Sequence, residues 1–289
     1  MSEPQTAAGL IKQGLAHHRA GQVSLAMDRY TQVLRNDPRN ADALYYIAVI
    51  ACHEGQYQQG IDLARRSLSF RPRQARAHNL IGQALYRMGK IKDALESFNN
   101  AIEFDTNFAD AYSNRANMLS DLGRNSEALS SFDRALALNP NSAGDWLNRG
   151  ATLHGAGRPA EAVASYDKAI ALDPDFCISH CNRAHALCDL DRDAEALAAY
   201  DRAIALGPKM AEAYLGRALA LKKLARHDEA LASVDKAIDI KPDVAEMHEA
   251  RASLLRLLGR DEEADTADTL AAKLATKNPA ENSGTGTTP

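Results

Sequence analysis

Thiol and imidazole side chains cluster in one short stretch of the sequence, FCISHCNRAHALC at residues 176–188. Cys181, His185 and Cys188 fall on one side of a helix, and His154 precedes Cys188 by 34 residues. Cysteine and histidine four residues apart on a helix can share a metal ion, and a reactive thiol can sense oxidants. These four residues are therefore candidates for a metal or redox site. The favoured interpretation is that the cysteines are small packing residues.

A second set of chemically active residues is a column of arginines that recurs every 34 residues. Its members are Arg115, Arg149, Arg183, Arg217 and Arg251. Sixteen residues before each arginine lies an amide or an acid, in the order Asn99, Asp133, Asp167, Asp201 and Asp235. Because no arginine is left without such a counterpart, we predict a ladder of charge-assisted hydrogen bonds between neighbouring units. A channel for phosphate or an acidic peptide is the alternative.

The same 34-residue period runs through the whole chain. The grid is marked by Pro38, Pro72, Pro140, Pro174, Pro208 and Pro242, with Thr106 in the one vacancy. The predicted units begin at residues 7, 41, 75, 109, 143, 177, 211 and 245. Position 8 of every unit is Gly or Ala, position 20 is Ala or Gly, and position 15 is Gly except for Asp191 and Ala225. A period of this length indicates a stacked-repeat protein.

Each unit is predicted to form two helices. The first has apolar residues at 3.6-residue spacing and ends at the position-15 glycine, and the second ends at an Asp-Pro or Asn-Pro turn. Small residues at positions 8 and 20 let the two helix axes approach closely. In five units the remaining gap is filled by an aromatic residue at position 24, namely Tyr30, Phe98, Phe132, Tyr166 or Tyr200. This core explains why only 6% of the residues are aromatic.

The pattern resembles the tetratricopeptide repeat (TPR) over residues 7–276. One unit shows the family order in Trp146, Gly150, Ala162, Tyr166 and Pro174, with Arg149 and Leu153 as departures. The resemblance implies an all-α fold, a right-handed superhelix (α-solenoid) of about eight helix-turn-helix repeats whose last repeat acts as a cap. Residues 1–6 and 277–289 are expected to be disordered. The change from isoleucine to arginine at position 7 suggests two blocks, residues 7–108 and 109–260.

The resemblance also implies a binding groove lined by the first helix of each repeat. In the repeats of O-linked N-acetylglucosamine transferases, asparagine at position 6 grips the backbone of extended polypeptides, and Asn114, Asn148 and Asn182 occupy this position here. An amide suits the role because it donates and accepts at once. The alternative is that these amides bond to neighbouring carbonyl groups of the protein.

Other groove positions carry different chemistry. Tyr86 and Arg87 are candidates for polar anchoring of a partner, and Leu147, Leu215 and Leu219 for apolar contact. The clamp of co-chaperones that bind chaperone tails is matched only in part. Asn117 and Asn148 fall at clamp positions, but Ser113, Ile178 and Asn182 stand where the clamp needs cations. A terminal carboxylate would therefore have no charge partner.

Composition narrows the function further. A formal net charge of −4 gives no reason to expect nucleic acid, and no apolar run is long enough for a membrane span. The chain lacks a signal-peptide pattern, a Gly-rich phosphate loop and a nucleophile elbow, so we predict a cytoplasmic protein that is not an enzyme and uses no cofactor. The predicted function is a scaffold that binds a polypeptide or a partner helix. One alternative is a substrate adaptor for a glycosyltransferase on another chain, and the other is a metal or redox sensor built on thiols and histidines. The sequence leaves open whether the protein forms a homo-oligomer.

Overall fold

The computed structural model describes residues 6–277, which contain sixteen α-helices and no β-strand. The helices are α1 (Ala7–Arg19), α2 (Val23–Asn36), α3 (Ala41–His53), α4 (Tyr57–Phe70), α5 (Ala75–Arg87), α6 (Ile91–Phe104), α7 (Ala109–Asp121), α8 (Asn125–Leu138), α9 (Ala143–Gly155), α10 (Pro159–Leu172), α11 (Cys177–Cys188), α12 (Asp193–Leu206), α13 (Ala211–Lys223), α14 (His227–Ile240), α15 (Ala245–Leu257) and α16 (Asp261–Lys277). The predicted all-α helical-repeat fold is confirmed.

The turn inside each repeat depends on a residue with positive φ. Six of these turns have glycine there, with φ between +69° (Gly123) and +77° (Gly55). Glycine reaches this left-handed conformation at low cost because it has no Cβ atom, and the first helix therefore ends at the same place in each of these repeats. Asp191 and Ala225, the two exceptions in the sequence, adopt the same conformation with φ of 55° and 57°.

The strained turn at Ala225 leads to a first prediction. Ala225→Gly should raise the free energy of unfolding by about 1 kcal/mol, because a left-handed conformation costs a non-glycine residue about 1–2 kcal/mol and the added flexibility of the unfolded chain offsets part of this gain. Urea denaturation measures the change. Ala156→Gly, at a C-cap with φ −87°, is the control and should not raise the free energy of unfolding. A loss of stability in Ala225→Gly would contradict the prediction.

The described residues divide into two compact units, and the first comprises residues 6–122 and 130–140. Its core contains one cluster around Leu10 and Tyr30 and another around Ile61 and Phe98. The Phe98 ring lies against Gly82 of its own repeat, where an added Cβ atom would stand 2.7 Å from Cδ1 of the ring. The small residue at position 8 is therefore needed for the aromatic residue at position 24.

The second unit comprises residues 123–129 and 141–277 and is built on the same contact. Tyr166 is 1% exposed, and a Cβ atom on Gly150 would lie 2.5 Å from Cε1 of its ring. Apolar side chains of α9 to α13 form one cluster around this ring, and a second cluster extends to α16. The two units divide inside the fourth repeat, whereas the change in sequence pattern falls before it.

Two further expectations concern disorder at the ends of the chain and the absence of a membrane span. The segments expected to be disordered lie outside the described residues, apart from Thr6 and Lys277. Thr6 is ordered as the N-cap of α1, and its side chain accepts a hydrogen bond from the backbone N–H of Gly9. Among residues 6–277, no helix combines the length and the apolar character that crossing a membrane requires.

Candidate functional site

In the cysteine and histidine cluster, the Cys181 thiol is buried and the Cys188 thiol is partly buried. Cys181 on α11 is 4% exposed, and burial raises the pKa of its thiol to about 12. Burial also raises the pKa of Cys188, whose Sγ lies 4.0 Å from the Tyr200 hydroxyl. The reactive form of cysteine is the thiolate, which a raised pKa disfavours. The structure therefore gives these cysteines the character of packing residues.

The two histidines of the cluster have other contacts. Nε2 of His154 lies 2.7 Å from Oδ2 of Asp189. The His185 ring packs edge-on against Tyr200 at 5.4 Å between centroids, and burial lowers the pKa of His185. Across the part of the chain that the structure describes, no three His, Cys, Asp or Glu residues are grouped so that they could hold a metal ion. The candidates His154, Cys181, His185 and Cys188 thus do not form a ligand set.

Four of the five arginines in the column lie beside the residues that the sequence pairs with them. Nε of Arg183 lies 2.6 Å from Oδ1 of Asp167, and the same atoms are 2.6 Å apart in Arg217 and Asp201 and 2.7 Å in Arg251 and Asp235. Nη1 of Arg115 donates to Oδ1 of Asn99 at 2.9 Å. The arginine side chains are 23–28% exposed in the three ion pairs.

Three members of the column make a further contact that the sequence pattern did not predict. Nη1 of Arg149 donates to Oγ of Ser165 at 2.8 Å, Nε of Arg115 to Oγ of Ser131 at 3.2 Å, and Nη1 of Arg217 to Oγ of Ser233 at 3.5 Å. In each case the serine lies sixteen residues after the arginine, at position 23 of the same repeat. Asp133, predicted as the partner of Arg149, is exposed on α8.

A second column of ion pairs opens the second helices. Arg124, Arg158, Arg192, Arg226 and Arg260 each pair with the glutamate three residues later. Two of the three guanidinium nitrogens take part, as in Arg192, whose Nε and Nη2 each donate to one carboxylate oxygen of Glu195 at 2.8 Å. The hydrogen bond from Arg192 is the main cause of the lowered pKa of Glu195, and Arg183 of the ladder lowers it further. The recurrence of Arg and Glu every 34 residues was the sequence signal for this column.

The carboxylates of the ladder pairs are about half-exposed, which sets the expected strength of the pairs. In a double-mutant cycle with Arg183→Gln and Asp167→Asn, we expect a coupling energy of about 0.5–1 kcal/mol, because an ion pair in contact with water gains little. Urea denaturation of the four proteins gives this value. The cycle of Arg202 and Asp175, whose side chains are 49% and 79% exposed, is the control and should give less. Equal coupling in the two cycles would argue against a specific role for the ladder.

First helices of successive repeats also contact each other through residues 35 positions apart. Nδ2 of Asn114 on α7 donates to Oδ1 of Asn79 on α5 at 3.1 Å. The Tyr86 hydroxyl donates to Oδ2 of Asp121, and burial together with this bond raises the pKa of Tyr86 to about 12. His154 and Asp189 have the same spacing. Positions 5, 6, 12 and 13 therefore face each other across neighbouring first helices.

The remaining candidates differ in how accessible they are. Leu147 and Leu215 are each 8% exposed and belong to the packed core, so the expectation that they offer apolar contact to a partner is corrected. Leu219 is 43% exposed and Arg87 is exposed. Asn182 is partly buried, and its amide makes no hydrogen bond with the described residues.

Two further asparagines were predicted to bind a partner, Asn117 on α7 and Asn148 on α9. Both are partly buried, and both interact with other residues of the chain. They lie on first helices, as the repeat pattern requires.

The asparagine column ends at Gly216 for a reason that the sequence did not show. Gly216 occupies position 6 of the seventh repeat, and a Cβ atom there would stand 2.6 Å from Cε1 of Tyr200 and closer still to its Cζ and hydroxyl oxygen. Tyr200 is 1% exposed. The ring of the preceding repeat thus fills the space that an asparagine side chain would need.

The paired helices, the glycine turns and the shared contact between positions 8 and 24 define a helical-repeat protein. The chain belongs to the tetratricopeptide-repeat proteins. The TPR repeat model matches residues 82–123 and the tetratricopeptide repeat model matches residues 113–175 and 181–245, which together exceed half of the chain. The model of anaphase-promoting complex, cyclosome, subunit 3 matches residues 19–101.

Solved structures share this fold. A crystal structure of MamA is 25% identical over 57% of this chain and 96% of its own, with a TM-score of 0.54. The crystal structure of YrrB, a TPR protein with an unusual peptide-binding site, is 22% identical over 62% of this chain and 93% of its own, with a TM-score of 0.56. That of PilW, a type IV pilus biogenesis factor, is 24% identical over 72% and 95%, with a TM-score of 0.62. No curated protein matches the chain.

Proposed function

We propose that this chain is a non-catalytic scaffold whose first helices bind a partner polypeptide, either extended or as a helix. The observation that carries the proposal is the amide of Asn182, which is partly buried on α11 and makes no hydrogen bond with the described residues. An amide in this state has donors and an acceptor available for a peptide backbone. YrrB, which has the same fold, is a TPR protein with a peptide-binding site.

Leu219 supports the proposal from the neighbouring first helix. It lies on α13, which packs next to α11, and 43% of its surface is exposed. An amide for the backbone and an exposed leucine for an apolar side chain are the two components that recognition of an extended peptide needs. The surface of α11 and α13 is therefore the binding face that we propose in the second unit.

In the first unit, Asn114 can also bind a peptide backbone, but with fewer free hydrogen-bonding groups than Asn182. Asn114 donates one hydrogen bond to Asn79, which is 7% exposed. An asparagine side chain has two donors and an oxygen acceptor, so this bond leaves capacity on the amide for a ligand. The internal bond also holds the amide in one orientation, which lowers the entropy cost of binding.

The test selects binding peptides from a random display library on the purified chain and measures their affinity by fluorescence anisotropy. Asn182→Ala should weaken binding by about 2- to 10-fold, the equivalent of one lost hydrogen bond. Leu219→Ser should weaken it as well. Asn100→Ala is the matched control, because Asn100 is also partly buried but lies on the second helix α6. Peptides that bind all variants equally would refute the proposal.

The sensor alternative loses support because burial raises the pKa of Cys181 and Cys188. A substrate adaptor for a glycosyltransferase would use the same first-helix surface, and no separate observation favours it.

A further inference from the structure

The turn between the second and third repeats departs from the turns around it. Asp37, Asp105 and Asp173 stand at position 31 of their repeats, and in each case Oδ1 accepts the backbone N–H two residues later, at 3.0–3.3 Å. The second repeat has Arg71 in this place and Arg73 two residues on. A residue that breaks a local rule without a local gain is a candidate for function.

This turn borders an open cavity of about 360 Å³ in the first unit. The cavity is lined by Arg71, Arg73, Gln74, Ala75, Arg76, Phe104, Asp105 and Phe108. Three of these residues are arginines from six consecutive positions, and a single acidic residue, Asp105, is among them. Oδ1 of Asp105 already accepts a hydrogen bond from the backbone of Asn107 at 3.0 Å.

The arginines of the cavity are held in place in different ways. Arg71 and Arg76 share one carboxylate, that of Asp42, which lies 2.9 Å from Nη1 of Arg71 and is also bonded by Nη2 of Arg76. Arg76 further donates from Nη1 to the Tyr46 hydroxyl at 3.0 Å and lies 4.6 Å from the centroid of the Tyr45 ring. The one carboxylate of Asp42 balances only one of these two guanidinium charges, so the cavity stays positively charged.

Arg73 is the arginine with unused hydrogen-bonding capacity. It is exposed, and its guanidinium carbon lies 5.6 Å from the centroid of the Phe104 ring. Stacking on an aromatic face orients the guanidinium plane while its N–H donors stay available. No acid within the described residues forms an ion pair with it.

The start of helix α5 adds to the positive field. Its N-cap, Gln74, makes no side-chain capping bond. The Gln74 side chain instead accepts a hydrogen bond from Oγ of Ser67 at 2.8 Å. The first N–H groups of the helix are left without a side-chain acceptor, and such groups favour anions.

The distribution of charged residues along the chain also makes the region around the cavity positive. Residues 7–108 contain 13 Lys and Arg against 9 Asp and Glu, a net charge of +4. Residues 109–277 contain 21 Lys and Arg against 27 Asp and Glu, a net charge of −6. The cavity therefore lies in the basic part of a chain that is acidic overall, and this field attracts anionic groups.

From these observations we infer that the cavity between Arg73, Arg76 and Phe104 binds an oxyanion carried by a protein partner, the carboxylate of an acidic side chain or a phosphoryl group. Guanidinium groups bind both with bidentate hydrogen bonds. The site lies at the turn between repeats and is separate from the surface of α11 and α13. The inferred binding of an oxyanion rests on the proposed scaffold function in one respect, namely that a partner protein carries the anion.

Titration of the full chain with inorganic phosphate, followed by the NMR signals of the arginine Nε–H groups, tests the site. We expect shifts at Arg71, Arg73 and Arg76 with a dissociation constant of about 1 mM. Arg73→Gln should weaken phosphate binding about 5-fold or more, because a charge-assisted hydrogen bond is lost. Arg73→Lys should retain part of the affinity.

Arg39→Gln is the matched control. Arg39 is also exposed and occupies the same position 33 in the first repeat, so the charge change is identical, but it does not line the cavity. Equal weakening by the Arg39 and Arg73 variants, or no shift at the three cavity arginines, would overturn the inference. Asn182→Ala should leave phosphate binding unchanged, so failure here is distinguishable from failure of the proposed peptide-binding surface.

Two peptides of the same sequence, one with phosphoserine and one with glutamate at the same position, then identify the source of the oxyanion. Tighter binding of the phosphoserine peptide, reduced by Arg73→Gln, assigns a phosphoryl group. Equal binding of both, reduced by the same substitution, assigns a carboxylate. Binding of neither peptide would overturn recognition of a protein-borne anion.

Discussion

Gly216→Asn should lower the free energy of unfolding by about 1–3 kcal/mol, the usual cost of forcing extra atoms into a packed core. By sequence alone this substitution extends the column of Asn114, Asn148 and Asn182 by one residue. In the structure, the Cβ atom would stand 2.6 Å from Cε1 of Tyr200, and this ring is 1% exposed and cannot move into solvent. Urea denaturation measures the change.

The Tyr200 ring is placed differently from the corresponding ring of the preceding repeat. Position 8 of the fifth repeat is Gly150, and the Tyr166 ring lies over it. Position 8 of the sixth repeat is Ala184, and the Tyr200 ring lies over Gly216 of α13. The control is Gly144→Ala, at an exposed glycine of α9 where an added Cβ would meet no atom within 4 Å. It should be neutral or stabilising, and a similar loss in both variants would show that the Tyr200 contact is not the cause.

Tyr166→Ala should have the largest effect, a loss of about 3–5 kcal/mol in the free energy of unfolding. Tyr166 is 1% exposed and lies in the core cluster of the second unit, packed against Gly150. Glycine has no side chain that could move into the cavity left by the ring. The expected result is a lower urea midpoint and faster amide hydrogen exchange in α9 and α10, since each repeat is stabilised by contact with its neighbours.

Phe70→Ala is the control for this prediction. Phe70 is an aromatic residue of similar size at the end of α4, and 41% of its surface is exposed. Its truncation should cost less than about 1 kcal/mol, because little apolar area is buried there. If the two truncations cost the same, burial between positions 8 and 24 would not be the main source of stability.

These expectations rank the interactions that hold the repeats together. The ring at position 24 is fully buried, whereas the ladder carboxylates of Asp167, Asp201 and Asp235 are about half-exposed. We therefore expect each buried aromatic contact to contribute more to stability than each ladder pair does. The paired columns of the ladder are the clearest pattern of charged residues in the sequence, but water limits what each pair contributes.

The candidate binding residues were harder to predict than the helices. Periodicity identifies which residues lie on a first helix, but it cannot distinguish a groove residue from a core residue when both are leucine. Leu147 and Leu219 show this, because they are 8% and 43% exposed although the same reasoning selected them. Likewise, the sequence pattern does not show that Asn114 bonds to Asn79 while Asn182 has no hydrogen bond among the described residues.

The sequence by itself determined the helical-repeat fold and the period of 34 residues. This information is local and periodic: it lies in helix spacing, in the residues that end helices, and in columns that repeat from unit to unit. Only the tertiary structure decided which side chains are accessible, why the asparagine column ends at Gly216, and that Arg73 and Phe104 meet at one cavity. Those features depend on distances between residues of different repeats, and a small change in ring placement, as between Tyr166 and Tyr200, alters them without changing the pattern.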